Sequence, residues 1–107
     1  MILEQNEKEI QPIQTWVNGE TKTMVLLRID NYFGYDFMMN PGYAHYCLCT
    51  YREEQQTDYD GNTITVAIKP TIIDGNIQLP WTLIETWGND DTPIFDYVAQ
   101  QLNITFI

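Results

Sequence analysis

The dipeptide Asn18-Gly19 lies between two stretches in which apolar and polar residues alternate, an arrangement typical of a β-hairpin. The alternation over residues 13–17 and 21–29 predicts two half-buried strands, because successive side chains on a strand point to opposite faces. Asparagine and glycine both tolerate the positive φ angles of a two-residue turn. The first third of the chain is therefore constrained toward an antiparallel sheet.

The middle of the chain predicts further strands. Residues 43–52 alternate and carry no charge before Arg52, which predicts a central strand, and residues 63–69 alternate again. Residues 53–59 predict a polar loop, and Asp74-Gly75-Asn76 predicts a turn. We therefore expect this part of the chain to consist of strands joined by turns and a polar loop.

The C-terminal third changes to a helical pattern. Residues 80–87 predict one short helix. Thr92, as a capping residue, and Pro93 predict the start of a second helix, and Asn103 predicts its end. The apolar residues of this second helix recur at the spacing of one helical face: Phe95, Val98, Ala99 and Leu102. Residues 104–107 predict a last strand.

These patterns together predict an α+β fold: an antiparallel β-sheet or sandwich-like domain with hairpins and one or two short C-terminal helices. A chain of 107 residues is expected to form one domain, because chains of this length rarely divide. Residues 1–11 are mostly polar and predict a flexible N-terminal arm, whereas residues 12–107 are assigned to the domain. Trp16, Trp81 and Phe95 are expected in its core.

The balance of charge disfavours several kinds of partner. The chain has 15 acidic and 5 basic residues and a formal net charge of -10, whereas binding to nucleic-acid phosphates needs clustered lysine and arginine. The same charge disfavours anionic membranes. We therefore expect no nucleic-acid partner and no membrane partner. The N-terminal residues lack the features of a secretion signal, and the closely spaced cysteines indicate a reducing cytoplasm.

The sequence offers little for catalysis. It contains no serine and one histidine, His45, and the acidic pairs Glu53-Glu54 and Asp90-Asp91 are expected in solvated loops. Residues 58–62 are similar to the start of a calcium-binding loop, but its twelfth position is Lys69 instead of glutamate, so a hairpin turn is predicted. The sequence therefore predicts a protein that is not an enzyme and that uses no cofactor.

His45, Cys47 and Cys49 share one face of the predicted central strand and are all ligand types for zinc. Three interpretations are open for them: a metal site, a buried sheet face and a reactive thiol. Alternate side chains of a strand start roughly 7 Å apart, which is wide for zinc ligands. No lysine or arginine lies nearby in sequence to lower the thiol pKa. The spacing therefore favours a buried face and predicts no metal site.

Aromatic residues are the clearest excess in the composition, at 13% of the chain. Residues 32–39 concentrate four aromatic residues and two methionines around Gly34, which interrupts a regular strand. Such side chains either cap an open end of the core or form a contact with another protein, where aromatic residues and methionine are enriched. The predicted protein-interface residues are Tyr32, Phe33, Tyr35, Phe37, Met38 and Met39.

A pattern of short segments extends over most of the chain. It consists of WVNGE at 16–20, DGNIQL at 74–79, Trp87, residues 89–91 and residues 96–105. In this pattern the chain resembles small acidic virion-associated proteins of tailed bacteriophages and prophages, including phages of Bacteroides-like gut bacteria. The resemblance implies a non-enzymatic virion structural protein, an auxiliary head, neck or tail component that acts through protein–protein contacts. It implies other virion subunits as partners, a homo-oligomer or a capsid- or tail-bound array, and assembly into the virion in the bacterial host cytoplasm.

A rival hypothesis is an acidic phage inhibitor, of the anti-defence or nucleic-acid-mimic type, that binds a basic protein surface. A net charge of -10 would speed its association with such a surface. Charged residues make up only 19% of the chain, however, and the carboxylates cluster in predicted loops. The virion-protein hypothesis is therefore favoured, and the inhibitor and a host-encoded binding or immunity domain stay as alternatives.

Overall fold

In a computed structural model that describes residues 1–33, 42–86 and 91–107, four strands form an antiparallel sheet and two more form a separate hairpin. The strands are β1 (Glu7–Val17), β2 (Glu20–Phe33), β3 (Gly42–Cys49), β4 (Arg52–Thr57), β5 (Thr63–Ile68) and β6 (Thr71–Leu79), and the helices are α1 (Trp81–Thr86) and α2 (Thr92–Leu102). The main sheet has the order β1-β2-β3-β6, and β4 pairs with β5. The α+β prediction is confirmed.

The β1–β2 hairpin forms where the sequence predicts it. Asn18 and Gly19 have φ angles of 51° and 81°, which are the positive values that a two-residue hairpin turn requires. The first strand begins earlier than predicted, however. Residues 7–11, which were assigned to a flexible N-terminal arm, lie in β1. Residues 7–9 pair with β2, and the apolar side chain of Ile10 is fully buried in the core.

The third strand, β3, lies between β2 and β6, in agreement with its uncharged sequence. The prediction of a turn at residues 74–76 is wrong, because these residues lie inside β6, which pairs with β3. Gly75 is directly opposite Tyr46, and a Cβ atom at Gly75 would lie 2.7 Å from the Tyr46 hydroxyl. The tyrosine ring therefore occupies the space that a side chain would need, which explains a glycine in the middle of a strand.

The β4–β5 hairpin, residues 52–68, replaces the predicted polar loop over residues 53–59. All six side chains of β4 are exposed, so the strand has no buried apolar face that an alternating sequence would reveal. Its extended conformation is stabilised by pairing with β5. The connecting turn agrees with the prediction. The side-chain Oδ1 of Asp58 accepts hydrogen bonds from the backbone N–H groups of Asp60 (3.0 Å) and Asn62 (2.9 Å).

The main hydrophobic core lies between one face of the four-stranded sheet and α2. Its buried residues are Ile10, Met24, Leu27, Ile29, Ala44, Leu48, Leu79, Ile94, Phe95 and Val98. Phe95 is buried as predicted, and Leu102, at the end of the predicted helical stripe, is only half-buried. Two tryptophans expected in this core are outside it. Trp16 is 71% exposed near the turn of the edge strand β1, and Trp81 is 48% exposed at the first position of α1.

The ends of α2 agree only partly with the sequence. Asn103 takes the left-handed conformation predicted for the helix end, with φ 57° and ψ 45°. Thr92 is already helical and Asp91 precedes it as the cap residue, so the predicted capping role of Thr92 is wrong. The predicted last strand over residues 104–107 is reduced to a single bridge with Ile10. Among the described residues, neither helix has the length and apolarity needed to cross a membrane.

Candidate functional site

A cluster of polar and ionisable side chains lies on the sheet face opposite α2, where β2, β3 and β6 are neighbours. We call it the polar cluster, and its members are Arg28, Asp30, His45, Cys47, Cys49, Thr71 and Asp74. The strand register assembles it, because Cys47 pairs with Arg28 on one side and with Asp74 on the other. Side chains of directly paired residues share a face, so all three point away from the core.

The carboxylate of Asp30 is at the centre of this cluster. Its Oδ1 accepts a hydrogen bond from Arg28 Nε at 2.8 Å, and its Oδ2 accepts one from Cys47 Sγ at 3.1 Å. The same Oδ2 is 3.7 Å from His45 Nδ1. The register shifts between Ile29 and Asn31, so Asp30 is an extra residue on β2. A bulge of this kind redirects a side chain, and here it accompanies a carboxylate next to β3.

The ring of His45 lies between two carboxylates. Its Nδ1 is 3.7 Å from Asp30 Oδ2, and its Nε2 is 3.0 Å from Asp74 Oδ2. A carboxylate can only accept, so the tautomer that suits this contact carries its proton on Nε2 and donates it to Asp74. In that tautomer the lone pair of Nδ1 is left on the side of Asp30. The side chain is 27% exposed, so the ring can be reached from solvent.

Cys47 and Cys49 are buried free thiols. Burial raises the pKa of the Cys47 thiol, and the adjacent Asp30 carboxylate raises it further. Burial also raises the pKa of Cys49. Arg28 acts in the opposite direction on both thiols but does not outweigh these effects. A thiol that keeps its proton at neutral pH is a weak nucleophile, so this environment does not support the reactive-thiol interpretation.

We expect both cysteines to react with iodoacetamide more than about tenfold slower in the folded protein than in urea-unfolded protein. An opening free energy of only about 1.4 kcal/mol already lowers the reactive population tenfold. Mass spectrometry of quenched time points measures the two rates. Cys47→Ser isolates the rate of Cys49, which is fully buried and is expected to be the slower of the two. Equal rates in the folded and unfolded protein would contradict the burial of these thiols.

Next to the polar cluster, Glu7 is a buried carboxylate, with its side chain 2% exposed. Lys69 Nζ donates a hydrogen bond to its Oε1, and the backbone N–H of Glu4 donates to the same oxygen at 2.8 Å. Arg28 Nη1 lies 3.8 Å from its Oε2. Ionic contacts of Glu7 thus connect the beginning of β1 to Arg28 on β2 and to Lys69, the residue that follows β5.

The β4–β5 hairpin forms a second candidate surface. Among the described residues, neither of its strands pairs with the main sheet. Its tip residue Tyr59 is fully exposed, and Ile64 on β5 is also exposed. Residues 52–68 contain four acidic residues and one basic residue, so the hairpin is net acidic. It is therefore an acidic two-stranded ribbon in which β4 is exposed along its whole length, the second half of β5 is partly buried and an exposed aromatic side chain lies at the tip.

Four of the six predicted interface residues fall outside the described part of the chain. Tyr35, Phe37, Met38 and Met39 are not among the described residues. Tyr32 and Phe33 lie at the end of β2, where the backbone pairs with Ala44 and Tyr43 of β3. The prediction that the stretch 32–39 contacts another protein therefore stays a prediction.

The sequence analysis identified His45 but not the carboxylates on either side of it. The predicted second strand ended at residue 29, before Asp30, and Asp74 was assigned to a turn. The sequence did contain one signal for Asp30. Leu27 and Ile29 alternate toward the core, so continued alternation would place Arg28 and Asp30 together on the opposite face of the sheet. The register of the strands, which brings these carboxylates to His45, is not visible in any local pattern.

Comparison of the chain with protein-family models, with curated proteins and with solved structures finds no match. The polar cluster and the β4–β5 hairpin are therefore the basis for the functional argument.

Proposed function

We propose that the protein is a non-enzymatic structural subunit of a bacteriophage virion that binds a different, basic subunit through its β4–β5 hairpin. The hairpin itself carries the proposal. Two-stranded hairpins are marginally stable in water unless another element covers them. Within the described residues, no third strand joins this pair and every side chain of β4 is exposed. A partner surface that covers the hairpin supplies the missing layer.

The charge of the chain determines the chemistry of this partner. The hairpin is net acidic, so the complementary surface is basic. A second copy of the chain is a poor source of such a surface, because it is itself net acidic and each of its five basic side chains lies beside an acidic or aromatic side chain of the same protein. These contacts are Lys22 with Glu20, Arg28 with Asp30, Arg52 with Glu54, Lys69 with Glu7, and Lys8 with the rings of Phe95 and Phe106. The occupant is therefore another protein.

Tyr59 is the residue expected to anchor this contact. It lies at the tip of the hairpin, held by the turn that Asp58 organises, and its ring makes no use of its apolar surface within the protein. Binding energy at interfaces concentrates in a few aromatic or arginine side chains that enter a pocket on the partner. Acidic residues on both sides of the tyrosine then add to the rate of association.

The virion setting is supported by the resemblance of residues 74–79 and 96–105 to small acidic virion-associated proteins. A partner that is itself repeated in a capsid or tail would present many equivalent sites. The protein would then form an array on the particle without direct contacts between its copies. This arrangement assigns it the role of an auxiliary component that binds an assembled layer.

We expect Tyr59→Ala to lower incorporation into particles at least about tenfold, since loss of an interface anchor costs that much or more in affinity. The measurement is quantitative mass spectrometry of phage particles purified from the source, assembled with either form of the protein. Trp16→Ala is the matched control, because Trp16 is also an exposed aromatic residue but lies on β1. Both variants should unfold at the temperature of the wild type.

Cross-linking mass spectrometry of the same particles tests the surface directly. Cross-links from the β4–β5 hairpin to one basic virion protein would support the proposal. Absence of the protein from the particles would contradict the virion role and would favour the inhibitor hypothesis. Particles that contain the protein but incorporate Tyr59→Ala normally would contradict the hairpin as the docking surface. A dimer in light scattering that Tyr59→Ala dissociates would contradict a partner of different sequence.

A further inference from the structure

We propose that Asp30, His45 and Cys47 bind a divalent metal ion of the zinc type between β2 and β3. These residues offer one oxygen, one nitrogen and one sulfur ligand. The spacing of residues along β3 alone predicted no metal site. The neighbouring strand changes that conclusion, because the extra residue of its bulge, Asp30, brings a third ligand next to the two on β3. The inference is independent of the proposed docking of the β4–β5 hairpin.

Two of the distances between the donor atoms are close to those around a tetrahedral ion. Asp30 Oδ2 is 3.1 Å from Cys47 Sγ and 3.7 Å from His45 Nδ1, and the three residues each offer one donor atom within 4.8 Å of the others. Zinc bonds of about 2.0–2.3 Å at tetrahedral angles separate the ligand atoms by about 3.3–3.5 Å. Two of the three separations therefore differ from the ideal by only a few tenths of an ångström. The third separation, between the His45 and Cys47 donors, would have to close by side-chain rotation when an ion binds.

The other contacts of these residues prepare them for a metal ion. His45 Nε2 is 3.0 Å from Asp74 Oδ2, and metal-binding histidines commonly donate their second ring N–H to a carboxylate in this way. This contact leaves Nδ1 as the coordinating atom. Arg28 holds Oδ1 of Asp30, so that Oδ2 stays on the side of the other ligands. Asp74 and Arg28 are thus positioning residues and not ligands.

The chemistry of the donor set favours zinc over calcium or magnesium, because imidazole and thiolate are ligands for zinc and its neighbours among the transition metals. Cys47 would bind as the thiolate, and its proton would pass to solvent. One thiolate and one carboxylate then balance the two positive charges of the ion. The partly exposed side chains of His45 and Asp30 leave an entry path, and water completes the coordination.

Cobalt titration of the EDTA-treated, desalted protein tests the site, because tetrahedral Co²⁺ with a thiolate ligand has both d–d and sulfur-to-metal charge-transfer absorption. We expect one cobalt ion per chain, displaced by Zn²⁺. Cys47→Ser should remove the charge-transfer band and weaken binding at least about 100-fold. Cys49→Ser is the matched control, since Cys49 is a buried thiol on the same strand and lies outside the three ligands. It should keep the band.

Two further variants keep the test decisive if Cys47→Ser folds poorly. His45→Gln changes a partly exposed side chain and should weaken cobalt binding by a similar factor. Asp74→Asn should weaken it by about 10–100-fold and keep the charge-transfer band, as expected for a positioning residue. Thermal unfolding checks each variant. Zn²⁺ should raise the melting temperature of the wild type and of Cys49→Ser, should raise that of Asp74→Asn less, and should not raise that of Cys47→Ser or His45→Gln at the same concentration. No absorption with millimolar cobalt, or wild-type affinity in folded Cys47→Ser or His45→Gln, would overturn the proposal.

Discussion

Replacing Phe95 by alanine is expected to lower the free energy of unfolding by about 3–5 kcal/mol. The ring is 2% exposed in the core between α2 and the sheet, and it meets the ring of Phe106 edge-on at a centroid distance of 6.4 Å. Lys8 Nζ lies 5.1 Å from the centre of the same ring. Alanine would remove all three contributions: the buried area, the aromatic pair and the cation contact. Urea unfolding followed by circular dichroism measures the loss.

The matched control for this change is Asp96→Ala. Asp96 is the next residue of α2 and its side chain is exposed, so its replacement is expected to change the stability by less than about 0.5 kcal/mol. A loss below about 1 kcal/mol in Phe95→Ala would show that α2 does not cover the sheet as described.

Lys69→Met is expected to destabilise the protein by about 2–4 kcal/mol, because it removes the closest cation from a buried carboxylate. Glu7 would keep the N–H of Glu4 and the more distant Arg28, which lies 3.8 Å away. These partners reduce the loss but do not replace a direct ion pair. Urea unfolding at neutral pH and low salt is the appropriate measurement.

The double variant Glu7→Leu/Lys69→Met provides the internal test of this prediction. It removes both charges together, so we expect it to unfold within about 1 kcal/mol of the wild type and to be more stable than Lys69→Met alone. Lys22→Met serves as the surface control, because the Lys22–Glu20 pair is exposed and should add nothing measurable. A double variant less stable than Lys69→Met would mean that the two residues do not act as a pair.

The parts of the fold that the sequence predicted are those with a local cause. Asn18-Gly19 needs only its own two residues to turn, and Asn103 needs only the end of its helix to adopt the left-handed conformation. The errors occur where a distant residue decides. Asp74-Gly75-Asn76 has the composition of a turn, but Tyr46 from β3 fills the space above Gly75 and keeps the segment extended. Residues 53–57 form a strand with no buried face, so no periodic pattern marks it.

The difference between local and distant causes also applies to the ligands of the candidate metal site. His45 and Cys47 share a face of one strand, and alternation alone predicts that. The third ligand depends on the register of β2 against β3 and on the extra residue that Asp30 adds to β2. A bulge is a property of two paired strands, so neither strand contains it when it is considered alone.

The chain leaves the main sheet at the end of β3, forms the β4–β5 hairpin and returns to the sheet at the beginning of β6, next to the point where it left. Cys49 pairs with Thr71 at the end of the β3–β6 ladder, and the N–H of Thr50 donates to the carbonyl of Pro70 at 3.1 Å. The sheet therefore holds both ends of the excursion together, and closing a longer loop there costs only about 0.6 kcal/mol for each doubling of its length. Insertions and deletions between these points should leave the main core unchanged, provided that Lys69 is kept for Glu7. The segment can therefore change in length and sequence without a change in the body of the domain.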